Sequence, residues 1–395
     1  MNAPKLRFAG FGDDWKMTLL SDLMTFNNGI NADKDSYGHG RKFINVLDIL
    51  NNTSIKYKDI IGSVSVSQKV EETNKVEYGD LLFLRSSETR EDVGKSSVYL
   101  DKDEFALFGG FVIRGKKHGD YHPYFLKLNL ELPNVRNQIS SKAGGSTRFN
   151  VSQPILNSIE INIPCLQEQE KIANFISNFD KKIQLQQEKI DLLKEQKKGY
   201  MQKIFSRRLR FKDDTGKDFP QWTKTFLKDI VSKKFKGSNA DYSEDPSQGN
   251  LLLHNEFLEL GINPLYVNKE NDVSNKNILI LWDGSQAGNI YFNREGVLGS
   301  TFMALELIPK INSNFIGQQL QYFEPIIKKS WREGSGVPHV SKSFIDRFKI
   351  KICCEEEQQK ISDFLNMFDK KIRIEQSMLL ELDKQKQAIM QQIFI

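Results

Sequence analysis

Two kinds of residue in this sequence could do chemistry: polar loops rich in hydrogen-bonding groups, and fragments that look like pieces of catalytic motifs. The first loop reads Arg85-Ser86-Ser87-Glu88-Thr89-Arg90 and continues to Gly94-Lys95, after an apolar run at Asp80-Leu81-Leu82-Phe83-Leu84. Asp283-Gly284-Ser285-Gln286-Ala287-Gly288-Asn289 follows a matching apolar run, Ile278–Trp282. The second loop is Lys142-Ala143-Gly144-Gly145-Ser146-Thr147-Arg148, and its later counterpart is Arg332-Glu333-Gly334-Ser335-Gly336-Val337-Pro338-His339. Such residues supply the donors and acceptors that base edges and phosphates require. Glycines let backbone amides approach a phosphate, and Ser152 and Ser341 are placed to cap short helices that follow. The candidate nucleic-acid contacts are Arg85, Ser86, Ser87, Arg90, Lys95, Lys142, Ser146, Thr147, Arg148, Ser285, Gln286, Asn289, Arg332, Ser335 and His339. Any one of them fits an ordinary surface turn, but their recurrence as paired loops in both halves favours contact with DNA.

The catalytic fragments lack context. Phe8-Ala9-Gly10-Phe11-Gly12 has the look of a methyltransferase glycine loop, yet no strand precedes it to form a cofactor-binding βαβ unit. Asn263-Pro264-Leu265-Tyr266 is one residue away from an amino-methyltransferase motif, and Asn-Pro more commonly starts a turn. There is no Walker loop, nuclease carboxylate–lysine cluster or Ser/His/Asp set. The three cysteines, Cys165, Cys353 and Cys354, do not have zinc-site spacing. They are expected to be buried free thiols in a reducing compartment. The sequence predicts no metal site and no catalytic residue in this chain.

Composition agrees with a packed, DNA-compatible protein. The 395 residues are 39% hydrophobic and 11% aromatic, and the formal net charge is +5. Residues 168–210 hold eleven Lys/Arg against six Asp/Glu, a surplus equal to that of the whole chain. A basic segment suits a polyanion, although a solvated helix face gives the same pattern. The opening residues lack the apolar core of a signal peptide, and no run reaches membrane-spanning length, so a cytoplasmic location is expected.

The elements that must position the loops occur twice. Residues 168–183 and 357–372 share ten of sixteen identities, including Glu168/Glu357, Gln169/Gln358 and the run Asp180-Lys181-Lys182-Ile183, repeated at 369–372. Leu6-Arg7-Phe8 before Trp15 answers Leu209-Arg210-Phe211 before Trp222. Ser146, Val151 and Ser152 also meet Ser335, Val340 and Ser341, while residues 16–145 and 223–334 share strand-like periodicity but few letters. Apolar runs at 106–113 and 301–305, with the alternations Ile159/Ile161/Ile163 and Phe348/Ile350/Ile352, give each body a mixed α/β character with a mainly β core.

Residues 166–206 and 355–395 read as long helices with heptad seams. One seam holds Ile176, Ile183, Ile190, Lys197 and Ile204 with Ile172, Phe179, Gln186, Leu193 and Tyr200. The other holds Leu365, Ile372, Leu379, Lys386 and Ile393 with Ile361, Phe368, Glu375, Leu382 and Ile389. A parallel pair would set Lys197 beside Lys386. An antiparallel pair can bring Lys197 to Glu375 and Gln186 to Lys386, with Phe179 at Ile393, Tyr200 at Ile372 and Leu193 at Leu379. The expectation is therefore an antiparallel coiled coil, ~60 Å long at ~1.5 Å per residue, acting as a ruler between the bodies.

The fold class is α+β. Globular domains at 1–163 and 207–352 alternate with helices at 164–206 and 353–395, in a pseudo-two-fold repeat. With its segments opening at Gln167-Glu168-Gln169 and Glu356-Glu357-Gln358, each continuing into Phe-Asp-Lys-Lys-Ile, the chain resembles the specificity subunit of Type I restriction–modification systems. The resemblance covers essentially the whole chain. It implies two target recognition domains, each reading half of an interrupted double-stranded DNA site. It also implies a coiled coil that sets the spacer and docks two modification subunits. S-adenosylmethionine, ATP and Mg would then act in the modification and restriction subunits, not here. Two other readings remain open at this point: a structural coiled-coil adaptor that binds protein, and a self-sufficient adenine methyltransferase.

Overall fold

A computed structural model describes residues 4–394. The chain forms two compact units, one comprising residues 1–185 with 379–395 and the other Gln186–Met378. The long helices, Leu166–Phe205 and Glu355–Ile393, each contribute one half to each unit. No described helix is long and apolar enough to cross a membrane.

In the first unit a five-stranded sheet has the order Met24–Asn28, Val112–Lys117, Leu81–Leu84, Ser96–Tyr99, Ser54–Ile55. All pairs are antiparallel except the last. The run at 81–84 is apolar throughout because both of its faces are covered. Leu81 and Phe83 join a core with Phe125, Leu126, Ile172 and Ile176, whereas Leu82 joins a separate core with Ile44, Ile49 and Phe108. Alternation along a strand sends neighbouring side chains to opposite faces.

The second unit repeats the plan with four antiparallel strands: Val231–Lys236, Phe302–Leu307, Ile278–Leu281 and Ile290–Phe292. Ile278 and Ile280 face the core containing the Ser313–Ser330 helix, and Leu279 and Leu281 face the other way. The alternations at the ends of the bodies form strands as expected. Glu160–Ile163 pairs with Lys16–Leu19, and Lys349–Ile352 pairs with Thr223–Phe226.

The shared Glu-Gln motif anchors each helix to its body. Buried Glu168 accepts two hydrogen bonds from Arg7, at 2.7 and 2.8 Å, and buried Glu357 accepts from Arg210 at 2.9 and 3.2 Å and from Trp222 Nε1 at 2.9 Å. Gln169 donates to Pro164 O and accepts the His122 N–H. Gln358 donates to Cys353 O and accepts the Asn312 N–H. This explains why Leu-Arg-Phe recurs: its arginine neutralises a carboxylate that would otherwise be buried alone.

The helices run antiparallel. In the second unit, Lys197 pairs with Asp369 at 2.7 Å, Gln186 donates to Glu375 at 2.6 Å, and Tyr200 packs on Phe364 and Phe368. In the first, Lys386 pairs with Asp180 at 2.6 Å, and Ile172, Ala173 and Ile176 share a core with Ile389, Met390 and Ile393. The register differs from the expected one. Lys197 meets Asp369 rather than Glu375, Gln186 meets Glu375 rather than Lys386, and Tyr200 lies against Phe364 and Phe368 rather than Ile372. The helices have slid by about one heptad. The expectation matched cations only to anions within the seam, but a lysine's flexible stem lets its head leave the seam. There it reaches the aspartate of Phe-Asp-Lys-Lys-Ile, in the same way in both units. Glu375 is held instead by Gln186 and by Lys189 at 2.6 Å.

Candidate nucleic-acid interface

The two polar loops of each body, far apart in sequence, come together. In the first body Ser86–Ser87 pairs antiparallel with Phe149–Asn150, and Ser86 donates to Asn150 Oδ1. The second loop folds back through a bridge between Gly144 and Asn150. Gly145 has φ +112°, and a Cβ there would lie 2.1 Å from Arg148 O, so the turn requires glycine. In the second body Gly284 N–H donates to Pro338 O at 2.8 Å, Asp283 bridges to His339, and Arg332 donates to Ser285 O at 3.1 Å. Arg332–Glu333 and His339–Val340 form a two-stranded ribbon within the second loop, the counterpart of the Gly144–Asn150 bridge.

The candidate side chains divide by what already holds them. Ser146, Thr147 and Arg148 are exposed, and their side chains make no hydrogen bond among the described residues. The same holds for Ser285, Gln286 and Ser335 in the second body. Arg90 is exposed, stacks over Phe149 at 4.6 Å and donates to Ser140 O. Lys95 pairs with Asp92 at 2.5 Å, which, with Thr89, holds the Asp92 carboxyl below its ordinary range. Lys142 donates to Ser158 O and Oγ, and Ser87 Oγ accepts the Thr89 N–H. Arg85 is half-buried and donates to Gly110 O at 3.1 Å, which buttresses the loop from behind. His339 is half-buried, with Glu333 at 4.0 Å.

Asn289 is not on the loop surface. It is buried, with its amide donating to Glu259 and to the Tyr291 hydroxyl, both at 3.1 Å. Gly288, at φ +101°, has already turned the chain inward toward the Ile290–Phe292 strand. The capping expectation also changes. Ser152 occupies the cap position of Gln153–Asn157 without a side-chain bond, and Ser343 rather than Ser341 stands at the start of Phe344–Arg347. Ser341 Oγ instead accepts the Ser343 N–H.

Residues that sequence reasoning passed over also reach these loops. Lys236, at the end of Val231–Lys236, pairs with Asp283 at 2.6 Å. Asn28 ends the equivalent strand, Met24–Asn28, and lines a cavity of about 530 Å³ with Arg85, Lys142, Asn150 and Ser152. The run Lys233-Lys234-x-Lys236 was the available signal for the former. The second body's strand gave no cue to Asn28, because the two strands share no letters at these positions.

The other fragments lack the structural context that their motifs would need. Among the described residues no strand precedes Gly10, the first one being Lys16–Leu19. Asn263, at φ +51°, makes a turn into the short strand Tyr266–Val267. Of the cysteines only Cys353 is buried, which raises its thiol pKa; Cys165 is exposed and Cys354 intermediate, so burial of all three does not hold. Among the described residues no group of His, Cys, Asp and Glu is arranged to hold a metal ion.

The chain matches the Type I restriction modification DNA specificity domain over residues 12–195 and 220–384. It is 36% identical over 146 residues to the Type I restriction enzyme MjaVIII specificity subunit of Methanocaldococcus jannaschii, a match covering 36% of this chain and 34% of that relative. It is 25% identical to the putative Type I restriction enzyme MjaX specificity subunit of the same organism, over 98% of this chain and 95% of that one. Among solved structures, the Type I restriction-modification S subunit of M. genitalium shares its fold with a TM-score of 0.63 at 17% identity, covering 100% of this chain and 99% of that one. A chain from a structure describing complex assembly and conformational transition of the Type I R-M system aligns with a TM-score of 0.52 at 15% identity, over 95% and 96%.

Proposed function

The chain belongs to the Type I restriction–modification DNA specificity family, and from that premise we propose that each of its two bodies reads one half of a bipartite, interrupted DNA site. The chain is the non-catalytic DNA-recognition subunit of such a system and works with DNA and with partner subunits of the complex. Neither the adaptor nor the self-sufficient methyltransferase reading is favoured by these relationships. The reading domains are residues 1–163 and 207–352. The coiled coil of 164–206 and 353–395 sets the spacer and docks two modification subunits. S-adenosylmethionine serves methylation in those subunits, and ATP and Mg serve translocation and cleavage in restriction subunits.

The observation that carries this reading is the duplicated loop pair. In both bodies the same two loops are joined by backbone pairing and end in exposed polar side chains that make no hydrogen bond among the described residues. Arginine and lysine supply the sequence-independent, salt-sensitive part of binding, while the loop side chains discriminate bases.

The test is methylome sequencing of cells carrying the complete system. Replacing residues 1–163 with the corresponding body of another family member changes one half-site and leaves the other intact. A change in both half-sites would overturn the modular reading. Lengthening both helices by one heptad, ~10 Å, widens the spacer by about three base-pair steps of ~3.4 Å. The same sequencing run measures that spacer.

A further inference from the structure

The sheet registers of the two bodies can be laid one on the other. In the first, Ile113 lies between Asn28 on one side and Phe83 on the other. In the second, Met303 lies between Lys236 and Ile280. Counting along these strands sets Leu84 against Leu281 and Ser86 against Asp283. The loop pairing gives the third match. Val151 N–H donates to Arg85 O at 2.9 Å and Val340 N–H to Trp282 O at 2.8 Å, so Asn150 matches His339. The frame is conserved to fine detail: a Cβ on Gly29 would lie 2.2 Å from Gly109 O, and one on Gly237 would lie 2.1 Å from Gly299 O.

On this common frame three positions, drawn from separate segments, meet at the joined loops and differ in every case. The first body presents Asn28, Ser86 and Asn150. The second presents Lys236, Asp283 and His339. We propose that these equivalent triplets are the base-reading residues of each body, the second reading a G·C pair through Lys236 and Asp283 and the first an A·T pair through Asn28. The inference rests on the DNA-reading function above and names the determinant within it.

The chemistry fits each assignment. In the major groove a G·C pair presents guanine N7 and O6 as acceptors beside the cytosine N4 amino donor. Lys236 and Asp283, held at 2.6 Å, present a donor beside an acceptor in the complementary order. Adenine presents N7 and N6, which an asparagine amide satisfies with one donor and one acceptor. Asn28 is exposed and its amide makes no hydrogen bond among the described residues. Asn150 is fixed beside it by Ser86 and by its own bond to Arg148 O at 3.1 Å.

The test exchanges the triplets in the complete system and reads the methylome. Lys236→Asn/Asp283→Ser/His339→Asn should convert one G·C position of the second half-site to A·T and leave the first half-site unchanged. Asn28→Lys/Ser86→Asp/Asn150→His should do the converse. If a triple variant loses all methylation, the single variants Lys236→Asn and Asn28→Lys decide. Each should cut discrimination at one base pair on the order of tenfold or more, measured by competition binding of the full chain with its modification partner. Variants that still bind or methylate with both half-sites unaltered would overturn the proposal while leaving the DNA-reading function standing. A wild-type system with no bipartite site would instead remove that function.

Discussion

At the scale of single residues, what matters is which polar groups are already committed inside the protein. Arg85 and Arg148 are the same residue type in neighbouring loops, yet Arg85 is tied to Gly110 O and Arg148 has no partner among the described residues. Arg148→Ala should therefore weaken binding to all sequences alike and lower the slope of log affinity against log salt by about one. Fluorescence titration at several salt concentrations measures that slope. Asn289→Ala should leave the recognised sequence unchanged and lower stability instead, because its amide serves Glu259 and Tyr291. A larger loss is expected for Arg210→Ala. It strands Glu357 in the interior with only Trp222 as a side-chain donor, a cost of about 3 kcal/mol visible in the denaturation midpoint. The sequence displayed the candidate loops because residue types mark them. It could not separate Arg85 or Asn289 from their neighbours, since Gly110 and Glu259 approach only in the folded body.

At the scale of elements, the antiparallel sense of the helices was legible and their register was not. Orientation follows from keeping like charges out of one layer, which the seam alone reveals. Register depended on Asp180 and Asp369, which lie next to the seam rather than in it. The two partners of the Lys197–Asp369 pair are consequently unequal. Asp369 also accepts from Gln318 at 2.8 Å, whereas among the described residues the second hydrogen bond of Lys197 is a long one, to Gln321 at 3.4 Å. Asp369→Ala should lower the thermal midpoint more than Lys197→Leu, which puts apolar surface into the seam; calorimetry of both variants ranks them. Glu375 gives a pH signature. Hydrogen bonds from Lys189 and Gln186 hold its carboxyl below the ordinary range. Its contribution is present above the unfolded carboxylate pKa and is lost as pH falls through the lower folded value. Glu375→Gln should therefore lower stability in the neutral region, leave it little changed at pH below the folded value, and so flatten the acid limb of a stability–pH curve.

At the scale of the whole molecule, the repeat is the most informative feature and also where sequence reading thins out. Leu-Arg-Phe, Glu-Gln and Phe-Asp-Lys-Lys-Ile are shared because each makes the same contact in both units, from the Arg7–Glu168 and Arg210–Glu357 pairs to Asp180–Lys386 and Asp369–Lys197. The bodies share strand register with few letters, because a sheet buried on both faces accepts many apolar residues of suitable size. The equivalence of Asn28 with Lys236 could be drawn only once the strands were paired. The fusion of both halves into one chain has a consequence for the text being read. A dimer of identical subunits is bound to palindromes, because its two-fold symmetry is imposed on its operator. Here the scaffold contacts are duplicated while the reading surfaces are encoded separately, so each can mutate without the other. Such a protein can adopt an asymmetric word, whose two strands carry different sequences at the places to be marked, and can acquire a new word by changing one half at a time.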